Sequence, residues 1–382
     1  MKRLLFVLPS YRCGGDSTAL YNLLNRIDPS RYSVDLFPLL EEGDQKDRYI
    51  NCRFLKSSLL LESMLRKFHP SLGIQSILAF IIKTLNTISR NKFSAFIYRS
   101  VGNRLVKKSD YDAVIAWTEF EPTTFVSFFP HNNKIAWLHC DYAHNIHSKE
   151  EDMAYKRLDR IICVSNCCRD SFLRLFPALE KKTEVLYNIL GADSIILKAK
   201  QHIDDFPRLE GVYNILSYGR IAAVKRFALI PEIARKVWDA GVRFHWCILG
   251  PNQHPDELER ILSNINKYQV SNCVEYLGAR ENPFPYLQNA DLIVNTSLSE
   301  ALPYSILEPK VLGIPIINSD IPAAREILTD GVDGLIVPID EVPSMIITFF
   351  NDTSLREKIK HGAKECVYDD LSSLRGFEKL FD

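Results

Sequence analysis

Two glutamates eight positions apart, Glu300 and Glu308, are of a type that accepts hydrogen bonds from sugar hydroxyls. The run before them, Asp291-Leu-Ile-Val-Asn295, is short, apolar and partly β-branched, which predicts a buried parallel strand. Tyr304 to Leu312 predicts a short helix, with Pro303 near its first turn and Gly313 just past its end. Glu300 then belongs to the loop at the C-terminal edge of a sheet, where open α/β sheets bind ligands, and Glu308 lies within the helix. A carboxylate there accepts hydrogen bonds from sugar hydroxyls, while N–H groups at a helix start face phosphate. Spacing alone is weak support, because glutamate is favoured in any first helical turn.

Other residues extend the set. Gly14-Gly15 closes the first strand–loop–helix turn, where a ligand can approach the backbone, although a lone Gly-Gly usually marks a plain turn. His139 follows the apolar strand Lys134 to Leu138, again at a strand's C-terminal end, where a histidine is more often structural than catalytic. Gly219-Arg-Ile-Ala-Ala-Val-Lys225 brings Arg220 and Lys225 into one loop, where isolated cations usually face solvent. Asp110-Tyr-Asp112 mimics a metal-binding D-x-D pair, but it precedes the strand Ala113 to Trp117 and so falls at the wrong end of the sheet. No serine–histidine–aspartate or paired-carboxylate hydrolase arrangement follows from spacing.

The segment Glu300-Ala-Leu-Pro-Tyr-Ser-Ile-Leu-Glu308 resembles the E-x7-E signature of the retaining glycosyltransferases of family 4, which have the GT-B fold. Gly313 to Asp320 and Glu326 to Pro338 match the continuation of that family, and Gly219 to Lys225 resembles its G-R-x4-K pattern. The chain departs from the pattern at Ala301, where the family usually has glycine, and has Asp16 where glutamate is more frequent. The resemblance implies a nucleotide-sugar donor, UDP-linked, with Glu308 on the ribose and Glu300 on the sugar hydroxyls. Gly14, Gly15, Gly219, Leu302, Pro303 and Tyr304 would line the donor, and His139 would face its sugar. Arg220 and Lys225 would stabilise the departing diphosphate, as fixed cations do for charge that develops in a transition state. Ser165 and Asn188 also align. No cofactor and no metal are then expected. Retention would proceed by front-face attack within an oxocarbenium-like ion pair. Two other readings share the fold: a nucleotide-sugar epimerase, which would not need the E-x7-E segment, and a catalytically silent nucleotide-sugar-binding protein.

The elements that must hold these residues alternate in type. Apolar runs at Leu4 to Leu8, Tyr32 to Leu39, Ala113 to Trp117, Lys134 to Leu138 and Arg160 to Val164 read as strands, followed by Thr183 to Tyr187. A second series starts at Tyr213, with strands at His245 to Leu249, Cys273 to Leu277, Leu292 to Asn295, Ile314 to Asn318 and Leu335 to Val337. This predicts an α/β protein of two doubly wound, Rossmann-like domains facing each other across a cleft. The expected divisions are 1–188 on the acceptor side, 189–353 for the nucleotide-sugar, and 354–382 as a helical segment, Ser354 to Phe381, crossing back. At 382 residues each domain can bury a core.

Composition excludes other classes. Charged residues are 25% and hydrophobic ones 46%, as in globular proteins. Met1 to Pro9 reads as a first strand rather than a signal peptide, since its apolar run is short and ends in proline. Nine cysteines without C-x-x-C pairs suit a reducing cytoplasm, and Cys163, Cys167 and Cys168 lack a second ligand pair for zinc. Net charge is zero, yet Arg48 to Lys108 holds twelve cations against the single acid Glu62. The cations are interleaved with aliphatic residues and carry no RNA-binding motif, which favours basic amphipathic helices on an anionic membrane over nucleic acid. The expected setting is the cytoplasmic face of a membrane, with a lipid-linked or glycan acceptor, in cell-surface glycan synthesis.

Overall fold

The computed structural model describes residues 1–12, 14–66, 74–89, 92–365 and 368–382. The chain forms two compact units, Met1–Ile189 with Leu371–Asp382, and Leu190–Asp370.

In the first unit the order is β1 (Lys2–Leu8), α1 (Gly15–Leu24), β2 (Tyr32–Pro38), β3 (Cys52–Phe54), α2 (Leu59–Leu65), α3 (Ile74–Ser89), α4 (Lys92–Lys108), β4 (Ala113–Ala116), α5 (Glu121–Ser127), β5 (Lys134–Leu138), α6 (Lys149–Lys156), β6 (Arg160–Cys163), α7 (Asn166–Leu175) and β7 (Thr183–Val185). Its seven strands pair in parallel in the order β3-β2-β1-β4-β5-β6-β7. The apolar runs are strands because both faces of the sheet are covered: Leu4 to Val7, Ala113 to Ala116 and Ile135 to Leu138 are buried throughout.

The second unit runs α8 (Ala192–Lys198), β8 (Tyr213–Tyr218), α9 (Ile230–Asp239), β9 (Phe244–Leu249), α10 (Pro255–Lys267), β10 (Val274–Gly278), α11 (Phe284–Asn289), β11 (Leu292–Asn295), α12 (Tyr304–Val311), β12 (Ile316–Ser319), α13 (Pro322–Ile327), β13 (Leu335–Val337), α14 (Val342–Asn351) and α15 (Thr353–Lys364), followed by α16 (Asp370–Lys379). Its six parallel strands are ordered β10-β9-β8-β11-β12-β13. One face packs Trp246, Phe244 and Val294 against α9, α10 and α14. In both units the strand order reverses beside the first strand, between β1 and β4 and between β8 and β11, which is where such sheets open for ligands.

The expected continuous helix Ser354 to Phe381 is two helices, α15 and α16. Ile359 of α15 is buried in the second unit's core, so the chain joins the first unit only from Leu371. There Phe377 and Phe381 pack on Tyr32, with ring centroids 5.8 and 6.1 Å away. A three-residue edge strand, β3, was not expected. It is too short to give a periodic signal, and Arg53 on it pairs with the buried carboxylate of Asp35 on β2.

The basic stretch also differs from its expected character. Arg66 pairs with Glu42 and Glu62, and Arg48 lies over the ring of Tyr21, so part of the positive charge is used within the fold. Lys67 and Arg90 lie outside the described residues. The outward face of α3 is not basic but apolar: Ile77, Phe80, Ile81, Leu85 and Ile88, spaced at three and four residues, are all exposed, up to 75% at Ile88.

Candidate donor site

The second unit assembles its polar residues at the C-terminal edge of the sheet. β8 is followed by Gly219, whose φ of +144° is open to glycine and strained for other residues, and any Cβ there would press on the Lys225 side chain. Gly250, at the end of β9, has φ +152° and packs directly against the Gly219 carbonyl. Sequence reasoning missed it, although a glycine ending an apolar strand was the available signal.

The loop after β8 is laced to the loop after β11. Thr296 Oγ1 donates to the Lys225 carbonyl at 2.7 Å, and the Leu298 N–H donates to the Val224 carbonyl at 2.8 Å. Arg226 sits in left-handed backbone, φ +52°, and its guanidinium donates to the carbonyls of Thr296 and Ser297 at 2.6 and 2.8 Å. This lacing sets Lys225 Nζ 2.6 Å from Glu300 Oε1, with the Ser297 hydroxyl donating to the same oxygen at 2.7 Å. Both side chains of the pair are largely shielded, 12% and 16% exposed. Arg220 is exposed.

Helix α12 carries a proline in its last turns, Pro309, which removes the donor that the Ser305 carbonyl would have met. Asn295, at the end of β11, supplies a replacement through Nδ2 at 3.0 Å, tying helix to strand. Leu302 and Pro303 are buried at the helix start, and Tyr304 is half-buried. Ala301 is buried and is not among the positive-φ residues, so its methyl group costs no backbone strain. Glu308 is buried with Oε2 2.5 Å from the Tyr218 hydroxyl, which also lies 2.8 Å from the Tyr304 carbonyl. Burial pushes the Glu308 carboxyl up to about 7, against the opposing pull of the Tyr218 hydrogen bond and Lys225.

In the first unit, Gly14 caps α1 in extended backbone: its N–H donates to Ser17 Oγ at 2.8 Å, and the same hydroxyl donates to the Gly14 carbonyl. Gly15 is the first helical residue. Trp117, just beyond β4, donates from Nε1 to the Asp16 carbonyl at 2.8 Å, and its ring lies 4.9 Å from that of His139. Burial lowers the His139 imidazole to about 3, so the ring is neutral. Its Nε2 is fully shielded and has no hydrogen-bond partner among the described residues. The His139 N–H donates to Glu119 at 3.0 Å, and burial holds that carboxyl above its usual range. Phe120, next in the chain, is held at φ +63°, an expensive conformation for an aromatic residue. Glu119 and Phe120 carry no sequence motif, and only their place directly after β4 could have singled them out.

Remaining candidates fall elsewhere. Asp112 accepts the Arg3 N–H at 2.8 Å and faces Lys2 at 3.6 Å, at the opposite edge of the sheet. Ser165 caps α7 by accepting the Cys168 N–H, Asn188 is buried, and the Cys168 thiol meets the Cys140 carbonyl at 3.3 Å.

Residues 199–365 match the family of glycosyl transferases group 1. The chain is 25% identical over 233 residues to an uncharacterized glycosyltransferase of Methanocaldococcus jannaschii, covering 59% of this chain and 53% of that one. It is 29% identical over 220 residues, 56% of each chain, to a Campylobacter jejuni N-acetylgalactosaminyltransferase named for a diacetylbacillosaminyl-diphospho-undecaprenol acceptor. The match thus spans little more than half the length of these two relatives. HepE of Anabaena, solved with UDP, superposes with a TM-score of 0.73 at 18% identity, covering 99% of both chains. The fold is that of GT-B glycosyltransferases, two parallel-sheet Rossmann-like halves. The matched residues, all within the second unit, are thus similar to the glycosyl transferases group 1.

Proposed function

We propose that the protein is a retaining glycosyltransferase that moves a sugar from a UDP-linked donor to a lipid-linked or polysaccharide acceptor. The observation that carries this is the laced Lys225–Glu300 pair beside buried Glu308, at the strand edge where such sheets take ligands. Glu308 receives the ribose hydroxyls and Glu300 those of the sugar. Lys225 and Arg220 neutralise the diphosphate as the glycosidic bond breaks, so no divalent ion is required there. His139 assists near the donor sugar. The acceptor oxygen attacks the face the diphosphate leaves and gives its proton to the leaving oxygen, which retains configuration. The C. jejuni relative's diphospho-undecaprenol acceptor and the UDP in HepE support the substrate classes. A panel of nucleotide-sugars tests the donor: the true donor raises the melting temperature and releases UDP when the acceptor is added. Stabilisation by no nucleotide-sugar contradicts the reading.

The acceptor's place is the cytoplasmic face of a membrane. No helix among the described residues is long and apolar enough to cross one. The apolar outward face of α3, with exposed Lys83, Lys92, Arg104 and Lys107 on α3 and α4, supports insertion into an anionic leaflet. Each large apolar side chain withdrawn from water contributes about 1.5–3 kcal/mol. Phe80→Asp with Ile88→Asp is expected to lower co-sedimentation with phosphatidylglycerol vesicles by about tenfold or more while circular dichroism stays unchanged. Equal sedimentation of variant and wild type would remove α3 from the membrane contact.

A further inference from the structure

We propose that His245, Cys247 and Glu275 form a transition-metal site, most suited to Zn²⁺, on the second unit's sheet away from the donor residues. His245 and Cys247 are two positions apart on β9 and so share a face, and Glu275 is the registered neighbour of Cys247 on β10. The Cys247 sulfur lies 3.5 Å from His245 Nε2, and that nitrogen lies 3.4 Å from Glu275 Oε2. All three ligand atoms fall within 4.8 Å of one another.

The sulfur–nitrogen and nitrogen–oxygen separations suit one ion. Zn²⁺ bonds of about 2.3 Å to sulfur and about 2.0–2.1 Å to nitrogen or oxygen, at tetrahedral angles, give S···N and N···O edges of about 3.5 and 3.4 Å. A thiolate, a neutral imidazole and a carboxylate carry two negative charges, which the ion cancels. The soft sulfur and the imidazole select zinc or cobalt over magnesium or calcium, which prefer oxygen. Metal binding at the Cys247 sulfur displaces its thiol proton. Glu275 is 56% exposed, which leaves an entry path and room for water as fourth ligand. Phe206, fully buried, lies against the His245 ring with centroids 5.7 Å apart and limits its rotation.

The site joins β10, the edge strand, to β9. His245 is near the start of β9 and the Gly250 turn follows its end, about 16 Å further along the strand. The ion would therefore fasten the sheet edge and take no part in sugar transfer.

The test is cobalt titration of the chelator-treated, full-length protein. Wild type is expected to bind one equivalent with a thiolate-to-cobalt charge-transfer band and intense visible bands of tetrahedral Co²⁺. Zinc should bleach both. Cys247→Ser should lose the charge-transfer band, and Glu275→Gln, at an exposed position that cannot unfold the sheet, should weaken binding by about tenfold or more. A wild-type spectrum without the charge-transfer band, or one that survives in both variants, overturns the proposal.

Discussion

Lys225→Ala is expected to lower kcat by about 10²-fold or more, equivalent to about 2.7 kcal/mol of lost transition-state stabilisation. The lysine is held before any substrate arrives, by the 2.6 Å contact with Glu300 and by the lacing of Val224 and Lys225 to Thr296 and Leu298. A cation fixed in that way need not reorganise when the diphosphate leaves, which is the condition for a large electrostatic effect. Lys225→Arg should recover part of the rate. Arg226→Ala separates position from charge: it removes the two hydrogen bonds to Thr296 and Ser297, not the cation at Lys225. It should lower kcat less and raise mobility of the loop. Transfer should also proceed without added divalent ion. Strict dependence on Mg²⁺ or Mn²⁺ at the reacting diphosphate would return the role to a metal.

Glu308→Gln is expected to weaken UDP binding by about tenfold or more at pH 8, the loss of one charge-assisted hydrogen bond of about 1.5–3 kcal/mol. The effect should depend on pH. With its carboxyl raised to about 7, Glu308 is ionised at pH 8 and mostly protonated at pH 6. The wild-type advantage should therefore shrink as pH falls through 7, and the two proteins should bind UDP alike below it. Stability runs the other way. A carboxyl raised above its unfolded value stabilises the fold fully below that value, near 4.5, and the contribution is lost as pH rises through 7. Ligand-free Glu308→Gln should melt above wild type at pH 8, by on the order of 3 kcal/mol, and match it below pH 5. A side chain that costs stability and gains nucleotide affinity is a functional one. Equal UDP affinity at pH 8 would refute its role on the ribose.

The strands were legible because they are short apolar runs that a parallel sheet buries on both faces, and α12 because Pro303 precedes it and Gly313 follows it. What was not legible depends on contacts between distant positions. Lys225 and Glu300 are separated by 75 positions, and nothing in either loop announces Arg226 as the clamp between them. Asn295 reads as the end of a strand, and its service to the Ser305 carbonyl appears only once Pro309 is placed in the helix. Composition marked α3 and α4 as basic, but which face points outward is set by Ala79 and Ile82 packing inward, and that left the apolar face exposed. A search by C-x-x-C spacing likewise cannot see that strand pairing brings Cys247 and Glu275 together across 28 positions.

The most direct test follows the anomeric proton by NMR as product first forms from an α-linked UDP-sugar and a diphosphate-linked polyprenyl-sugar acceptor. Donor sugars are taken from those that stabilise the protein. The account predicts an α-configured product appearing with free UDP, at a rate cut by Lys225→Ala. A β-configured first product, or UDP release without any new glycosidic bond, would contradict it.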